Sequence, residues 1–183
     1  MMKRLLTYQD CIDQCGSNYF LRDALASGKL YKIEKGVYAT QPYAPELSVL
    51  TMKYPEAVCT MDSAFYYHGL TDEAPALYHL ATKRAATRIK DPRVKQYFAK
   101  PELFDIGIVT KEVEGSSIRI YDLERMLIEL IRNHTHLPYD YYKEIIRNYR
   151  KEAETMDFAK LYEYAGKFSL GDTIMEVIER EVV

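Results

Sequence analysis

The sequence is short of cysteine, of long apolar runs and of net charge, and each shortage excludes something. Its three cysteines, Cys11, Cys15 and Cys59, are an odd number without a repeated spacing. That excludes a disulfide framework and leads us to expect a reducing compartment, the cytoplasm. Nowhere do about 18 apolar residues follow one another, so no membrane-spanning helix is expected. Met1 to Leu6 has two basic residues and two leucines but no apolar stretch of signal-peptide length. Missing too are a glycine-rich phosphate loop, a Gly-x-Ser-x-Gly elbow, a His-Glu-x-x-His pair and any convincing Cys/His pair. Neither enzymatic activity nor a metal or other cofactor is therefore expected. A formal net charge of -2 removes any argument for nucleic-acid binding from overall polycation character.

What is present is unevenly distributed. Residues 1 to 40 carry a net +2, residues 41 to 80 a net -4, residues 81 to 100 a net +6 and residues 101 to 183 a net -6. With 48% hydrophobic and 28% charged residues in 183, the composition suits one globular domain or two small ones.

Thr7 can cap a helix running to about Cys15, with Asp10 as the capping-box acid and Tyr8, Cys11, Ile12 and Cys15 along one face. Gly16 stops it, and Ser17 caps a second helix over Asn18 to Ser27 whose inner half is Phe20, Leu21, Ala24 and Leu25. Its outer half shows Asn18, Tyr19, Arg22, Asp23 and Ala26. After Gly28, strands over Leu30 to Ile33 and Val37 to Ala39 flank the turn Glu34-Lys35-Gly36. Helix, turn, helix, hairpin is the order of a winged helix-turn-helix, and it places a first domain at residues 1 to 40.

A second domain is expected over about 44 to 183. Helices are predicted at Pro45 to Tyr54 and Met61 to Gly69, and strands at Tyr78 to Ala81, Val94 to Ala99, Ile106 to Val113 and Ser117 to Tyr121. The last two form a hairpin about Glu114-Gly115-Ser116. Asp122 then caps a helix with Leu123, Met126, Leu127, Leu130 and Ile131 on one face, and helices follow at Tyr139 to Thr155, Asp157 to Lys167 and Gly171 to Glu181. The fold class is thus α+β, with a mixed or antiparallel sheet expected to be mostly antiparallel and a helical C-terminus.

Chemistry able to meet DNA is concentrated in two places. Asn18, Tyr19 and Arg22 can touch base edges and phosphates in a major groove, although the same spacing suits a plain amphipathic helix. Lys29, Lys32 and Lys35 lie on the adjoining wing, where phosphate contact is the usual role. The stretch Lys83 to Lys95 holds six cations and one acid, with Lys83, Arg84, Arg88 and Lys90 as candidate phosphate contacts; the alternative is a solvated connection. His68 falls near a helix C-terminus, where it can bond the last carbonyls. His134 and His136 read as a surface turn, since no partner residues give them zinc spacing. Asp122 and Glu124 invite a catalytic reading but are explained by a helix cap and the macrodipole. Tyr139, Tyr141, Tyr142, Tyr149, Tyr162 and Tyr164 read mainly as packing residues.

Gly16-Ser17-Asn18-Tyr19, the run Gly28 to Tyr38, Ser63-Ala64-Phe65-Tyr66-Tyr67-His68-Gly69-Leu70-Thr71-Asp72 and Tyr121-Asp122-Leu123-Glu124-Arg125 together resemble the AbiEi family of antitoxins. Members of that family are partners of AbiEii-type nucleotidyltransferase toxins in type IV toxin-antitoxin, phage abortive infection systems. The resemblance implies a winged helix-turn-helix that represses its own operon at inverted repeats, with a homodimer on the DNA, and a C-terminal domain that neutralises the toxin. Longer members open with an additional helix where this chain has Met1 to Leu6, so the DNA-binding unit is abbreviated. A protein-interaction module without sequence-specific DNA binding is the alternative, and a nucleic-acid enzyme using Asp122 or Glu124 comes last.

Overall fold

The computed structural model describes residues 5–113 and 115–183; residues 1–4 and 114, which include the start of the N-terminal segment and the first residue of the expected hairpin turn, lie outside the described residues. The fold is α+β and divides into two compact units, Met1–Glu56 with Glu112–Ser117 and Ala57–Lys111 with Ile118–Val183. Among the described residues no helix is long and apolar enough to cross a membrane.

The first unit opens on strand β1 (Leu5–Thr7), which leads straight into helix α1 (Tyr8–Cys15). The expected capping box is formed: the Asp10 N–H donates to Thr7 Oγ1 at 3.1 Å, and the Thr7 N–H donates to Asp10 Oδ2 at 2.8 Å. Gly16, at φ +82°, turns the chain into α2 (Asn18–Ala26), and a hairpin follows from β2 (Tyr31–Glu34) to β3 (Val37–Ala39). Strand β1 pairs antiparallel with β3, giving a three-stranded sheet in the order β1-β3-β2.

Alternation along these short strands fills both sheet faces. Leu6 and Tyr38 pack with Cys11, Leu21 and Leu30 beneath α1 and α2. Leu5, Val37 and Ala39 face the other way and pack with Val49 and Met52 of α3 (Glu46–Lys53). The expected boundary between 40 and 44 would cut α3 away from the face it covers; the compact unit instead runs to Glu56. A helix pair and hairpin of about 40 residues closes a single small core, and α3 adds a second one.

Strand β4 (Val58–Cys59), helix α4 (Met61–Tyr67), β5 (Tyr78–Lys83), β6 (Val94–Ala99), a one-turn helix α5 (Pro101–Phe104), β7 (Ile108–Val113) and β8 (Ser116–Tyr121) come next. Their sheet runs β6-β5-β4-β8-β7. β4 is antiparallel to β5 but parallel to β8, and β5 is parallel to β6 from Tyr78↔Val94 to Lys83↔Ala99. The sheet is therefore mixed, which corrects the mostly antiparallel expectation. Parallel neighbours usually need a crossover of a dozen or more residues, and the connection over 84–93 is shorter than that, so the sequence reads as if the strands were hairpin partners.

Helix α6 (Leu123–Arg132) is the axis of the second unit, packed by α4, α8 (Phe158–Ala165) and α9 (Gly171–Glu181), with α7 (Tyr139–Glu152) adding Ile145, Ile146 and Tyr149 to the core. It is buried well beyond the expected stripe: Ile128, Glu124 and Arg125 are also out of solvent. Asp122 caps it, accepting from the Arg125 N–H at 2.8 Å, and also bonds Lys160 at 2.8 Å and the Tyr164 hydroxyl at 3.2 Å. Glu124 accepts from Lys160 at 3.1 Å and from the Asp157 N–H at 3.0 Å, tying α8 to the start of α6. Arg125 reaches back to the Leu103 carbonyl at 2.6 Å. Only glycine fits at Gly107, where a Cβ would lie 2.6 Å from that of Arg125.

Candidate nucleic-acid interface

On α2 the Ser17 hydroxyl caps the helix, accepting from the Phe20 N–H at 3.4 Å, and Leu21 points into the core. Asn18, Tyr19, Arg22 and Asp23 face solvent as expected. Phe20 does not join the inner face: it is 57% exposed, and its ring meets the 76%-exposed Tyr19 edge to face at 5.4 Å. At about 100° per residue Phe20 lies a full step from Leu21, at the rim of the apolar stripe. The helix ends with Gly28 at φ +71°, and the Lys29 and Leu30 N–H groups both return to the Ala24 carbonyl.

The hairpin turns at Gly36, φ +82°, after a register shift between Lys32 and Glu34. Such an irregularity twists a ribbon and re-aims its side chains. Lys29, Lys32 and Lys35 are all exposed, and with Arg22 they have no ion pair or side-chain hydrogen bond among the described residues. Glu34, between them, is engaged by Lys53 at 2.8 Å. On α2 and the hairpin the first unit thus presents four cations without partners among the described residues, beside the exposed rings of Tyr19 and Phe20.

The second cluster lies in the other unit. The 84–93 connection runs back along the sheet so that β6 can start beside Tyr78, and Gln96 braces it by accepting from the Ile89 N–H at 2.8 Å and donating to Thr82 and to the Thr87 carbonyl. Arg93 is spent on Asp91, which it grips through two nitrogens at 2.9 and 2.8 Å. Lys83 pairs with Asp105 at 3.3 Å, with both side chains largely in solvent. Arg84, Arg88 and Lys90 are exposed without a partner among the described residues.

The other singled-out residues have structural places. His68 donates from Nε2 to the Tyr121 carbonyl of β8 at 2.7 Å, rather than to its own helix, and Lys111 Nζ lies 3.5 Å from Nδ1. His134 bonds the Ile131 carbonyl at 2.7 Å at the end of α6, and His136 is exposed in the same short turn. Among the described residues no cluster of His, Cys, Asp or Glu is placed to hold a metal ion. Of the tyrosines, Tyr142 and Tyr149 are core, while Tyr139 and Tyr162 are exposed.

Burial is the main reason that His68 titrates below the ordinary imidazole value; the Tyr121 bond opposes this and Lys111 adds to it. As pH falls through the unfolded-state value of about 6.5, the unfolded chain takes up its proton first. Stability is therefore lost from that pH downward until the lower folded-state value is passed. His68→Gln keeps an Nε2 donor for Tyr121 and removes the titration. Its unfolding midpoint should drop less between about pH 7.5 and 5.5 than that of the parent, and equal drops would acquit His68.

Sequence reasoning missed one histidine. His79 is buried, accepts from the Tyr97 hydroxyl at 3.2 Å and has Asp62 3.6 Å from Nε2, beside a cleft of about 980 Å3. No spacing could reveal it, because Asp62, His79 and Tyr97 come from α4, β5 and β6. Comparison with protein-family models finds no match, and comparison with curated proteins finds none.

Proposed function

We propose that this chain is a cytoplasmic DNA-binding autorepressor and antitoxin of the AbiE type, reading inverted repeats in its own promoter as a homodimer and opposing a nucleotidyltransferase toxin. The observation that carries the reading is the first unit's exposed surface: Arg22 on α2 with Lys29, Lys32 and Lys35 along the adjoining hairpin, all without partners among the described residues. A sheet ordered β1-β3-β2 with the helix pair between its first and second strands is the arrangement a winged helix-turn-helix uses. Asn18, Tyr19 and Arg22 would meet base edges or phosphates, and the lysines phosphates alone. Arg84, Arg88 and Lys90 offer a second phosphate-contacting surface.

A mobility-shift titration at about 150 mM salt tests this. Promoter duplex should be retained at concentrations at least about a thousandfold lower than random duplex. Equal affinity would leave only nonspecific phosphate attraction. The exposed Tyr19–Phe20 pair favours the alternative, a protein-interaction helix, and that reading gains if no duplex is bound at any salt. The antitoxin half is tested by growth. A chain beginning at Ala57, confirmed folded by circular dichroism, should still protect cells from a cognate nucleotidyltransferase, because it keeps α6 and the helices packed on it. Protection by residues 1–56 and not by the remainder would reverse the assignment.

A further inference from the structure

The cleft of about 980 Å3 beside His79 lies wholly within the second unit and takes no part in the proposed DNA recognition. His79 and Lys95 are register partners on β5 and β6, and Tyr97 follows Lys95 on the same face, so these three side chains enter it from the sheet. Asp62 of α4 joins them, its Oδ2 3.6 Å from His79 Nε2. Helix α7 supplies another wall: Asp140, Glu144 and Arg147 share a helix face at i, i+4 and i+7, and Tyr141 lies three positions before Glu144. Glu73 and Leu77 line it from the connection between α4 and β5. Four carboxylates therefore meet two cations.

The cations do not cancel them. Lys95 is drawn across the Tyr97 ring, 5.5 Å from its centre, and Glu73, Asp140, Glu144 and Arg147 have no ion pair among the described residues. Burial holds His79 below the ordinary imidazole value despite Asp62, so at pH 7 it adds no positive charge. A concave site with an excess of one sign focuses its field on the opposite charge.

One polar group on the wall is left over. The Tyr141 hydroxyl is shielded from solvent and has no well-formed hydrogen bond among the described residues. Burial first, and then the charges of Asp62, Glu73 and Glu144, hold it above the ordinary phenol range, so three of the four carboxylates act on one place. A buried hydroxyl without a partner calls for one from a ligand. A metal ion does not fit, because no His, Cys, Asp or Glu groups among the described residues gather closely enough to hold one. The carboxylates are spread, and Leu77, Leu137 and Pro138 line the same cleft, which suits ammonium groups separated by methylenes. The volume lies in the range of small-ligand sites.

We propose that this cleft binds a linear aliphatic polyamine, its ammonium groups spread among Asp62, Glu73, Asp140 and Glu144 and its methylenes along Leu77 and Leu137. The site is independent of DNA recognition by the first unit.

Titrating the full chain with spermidine by calorimetry at about 150 mM salt should give saturable binding with a Kd below about 1 mM, and putrescine, with one charge fewer, should bind at least about tenfold more weakly. The double variant Glu73→Gln, Asp140→Asn should lose at least about tenfold in spermidine affinity with its thermal midpoint unchanged, since both residues are exposed and have no ion pair among the described residues. Arg147→Ala removes a competing charge and should tighten binding by about twofold or more. Tyr141→Phe should weaken spermidine by about threefold or more without lowering the thermal midpoint, because the hydroxyl it removes satisfies nothing in the free protein. No saturable heat, or full affinity in the double variant, would overturn the site. Displacement of spermidine by Mg2+ at equal charge would also overturn it and leave only a counterion atmosphere. Lys32→Ala with Lys35→Ala should not alter spermidine binding, so a failed promoter assay leaves this result standing.

Discussion

Arg125→Ala should lower stability by about 3–5 kcal/mol, the usual cost of removing one partner from a buried charged network. The guanidinium is 2% exposed and does several jobs at once. It donates to the Leu103 and Ile106 carbonyls at 2.6 and 3.3 Å, bonds Glu129 at 2.8 Å, and lies 4.6 Å from the ring centres of both Tyr121 and Phe168. Alanine leaves a half-buried carboxylate and two carbonyls without these donors, and two rings facing a void. Beneath it Tyr121, whose hydroxyl burial pushes up to about 12, stays protonated and donates to the Phe104 carbonyl at 2.9 Å. Arg125→Met separates the contributions, since it fills volume without charge and should recover part of the loss. Urea unfolding followed by circular dichroism measures both. If alanine costs under about 1 kcal/mol, the network is ornamental.

The largest effect on binding is expected from the first unit's cations. Lys32→Ala with Lys35→Ala should weaken binding to every duplex and reduce the slope of log K against log salt by up to about one unit per lost contact. Arg22→Ala should weaken binding and also change sequence preference, because α2 would carry it into the groove. All three side chains are exposed and have no partner among the described residues, so the fold should be untouched. The contrast between them is the measurement. An Arg22→Ala protein with unchanged affinity and preference would show that α2 is not the reader.

Local signals made much of the fold legible. Thr7 and Asp10 announce α1 because a capping box closes within three residues, and the Glu34-Lys35-Gly36 turn fixes β3 at Val37–Ala39. Gly171 starts α9 where a Cβ would lie 2.3 Å from the Ala165 carbonyl oxygen. What escaped depends on distant partners. Val58–Cys59 is too short to show alternation and is a strand only because β5 and β8 flank it. β1 is defined by β3, through pairs from Thr7↔Val37 to Leu5↔Ala39 that are far apart in the chain. Arg125 was visible as part of a motif, but its grip on Leu103 and Glu129 was not. For the candidate interface, residue type and exposure were legible in all ten cations and polar groups named at the outset; the half-exposed Phe20 was not.

The double-sided sheet of the first unit has a consequence for how the sequence can drift. A strand covered on one face tolerates change at every second position. In β3, Val37 and Ala39 are sealed beneath α3 while Tyr38 is sealed beneath α1 and α2, so three consecutive codons are constrained and none is neutral. The only room for variation is in volume-matched apolar exchange, and a polar residue at any of the three would open one core or the other. Whatever surface α2 and the hairpin offer to a partner can therefore diversify quickly, mounted on a strand that cannot.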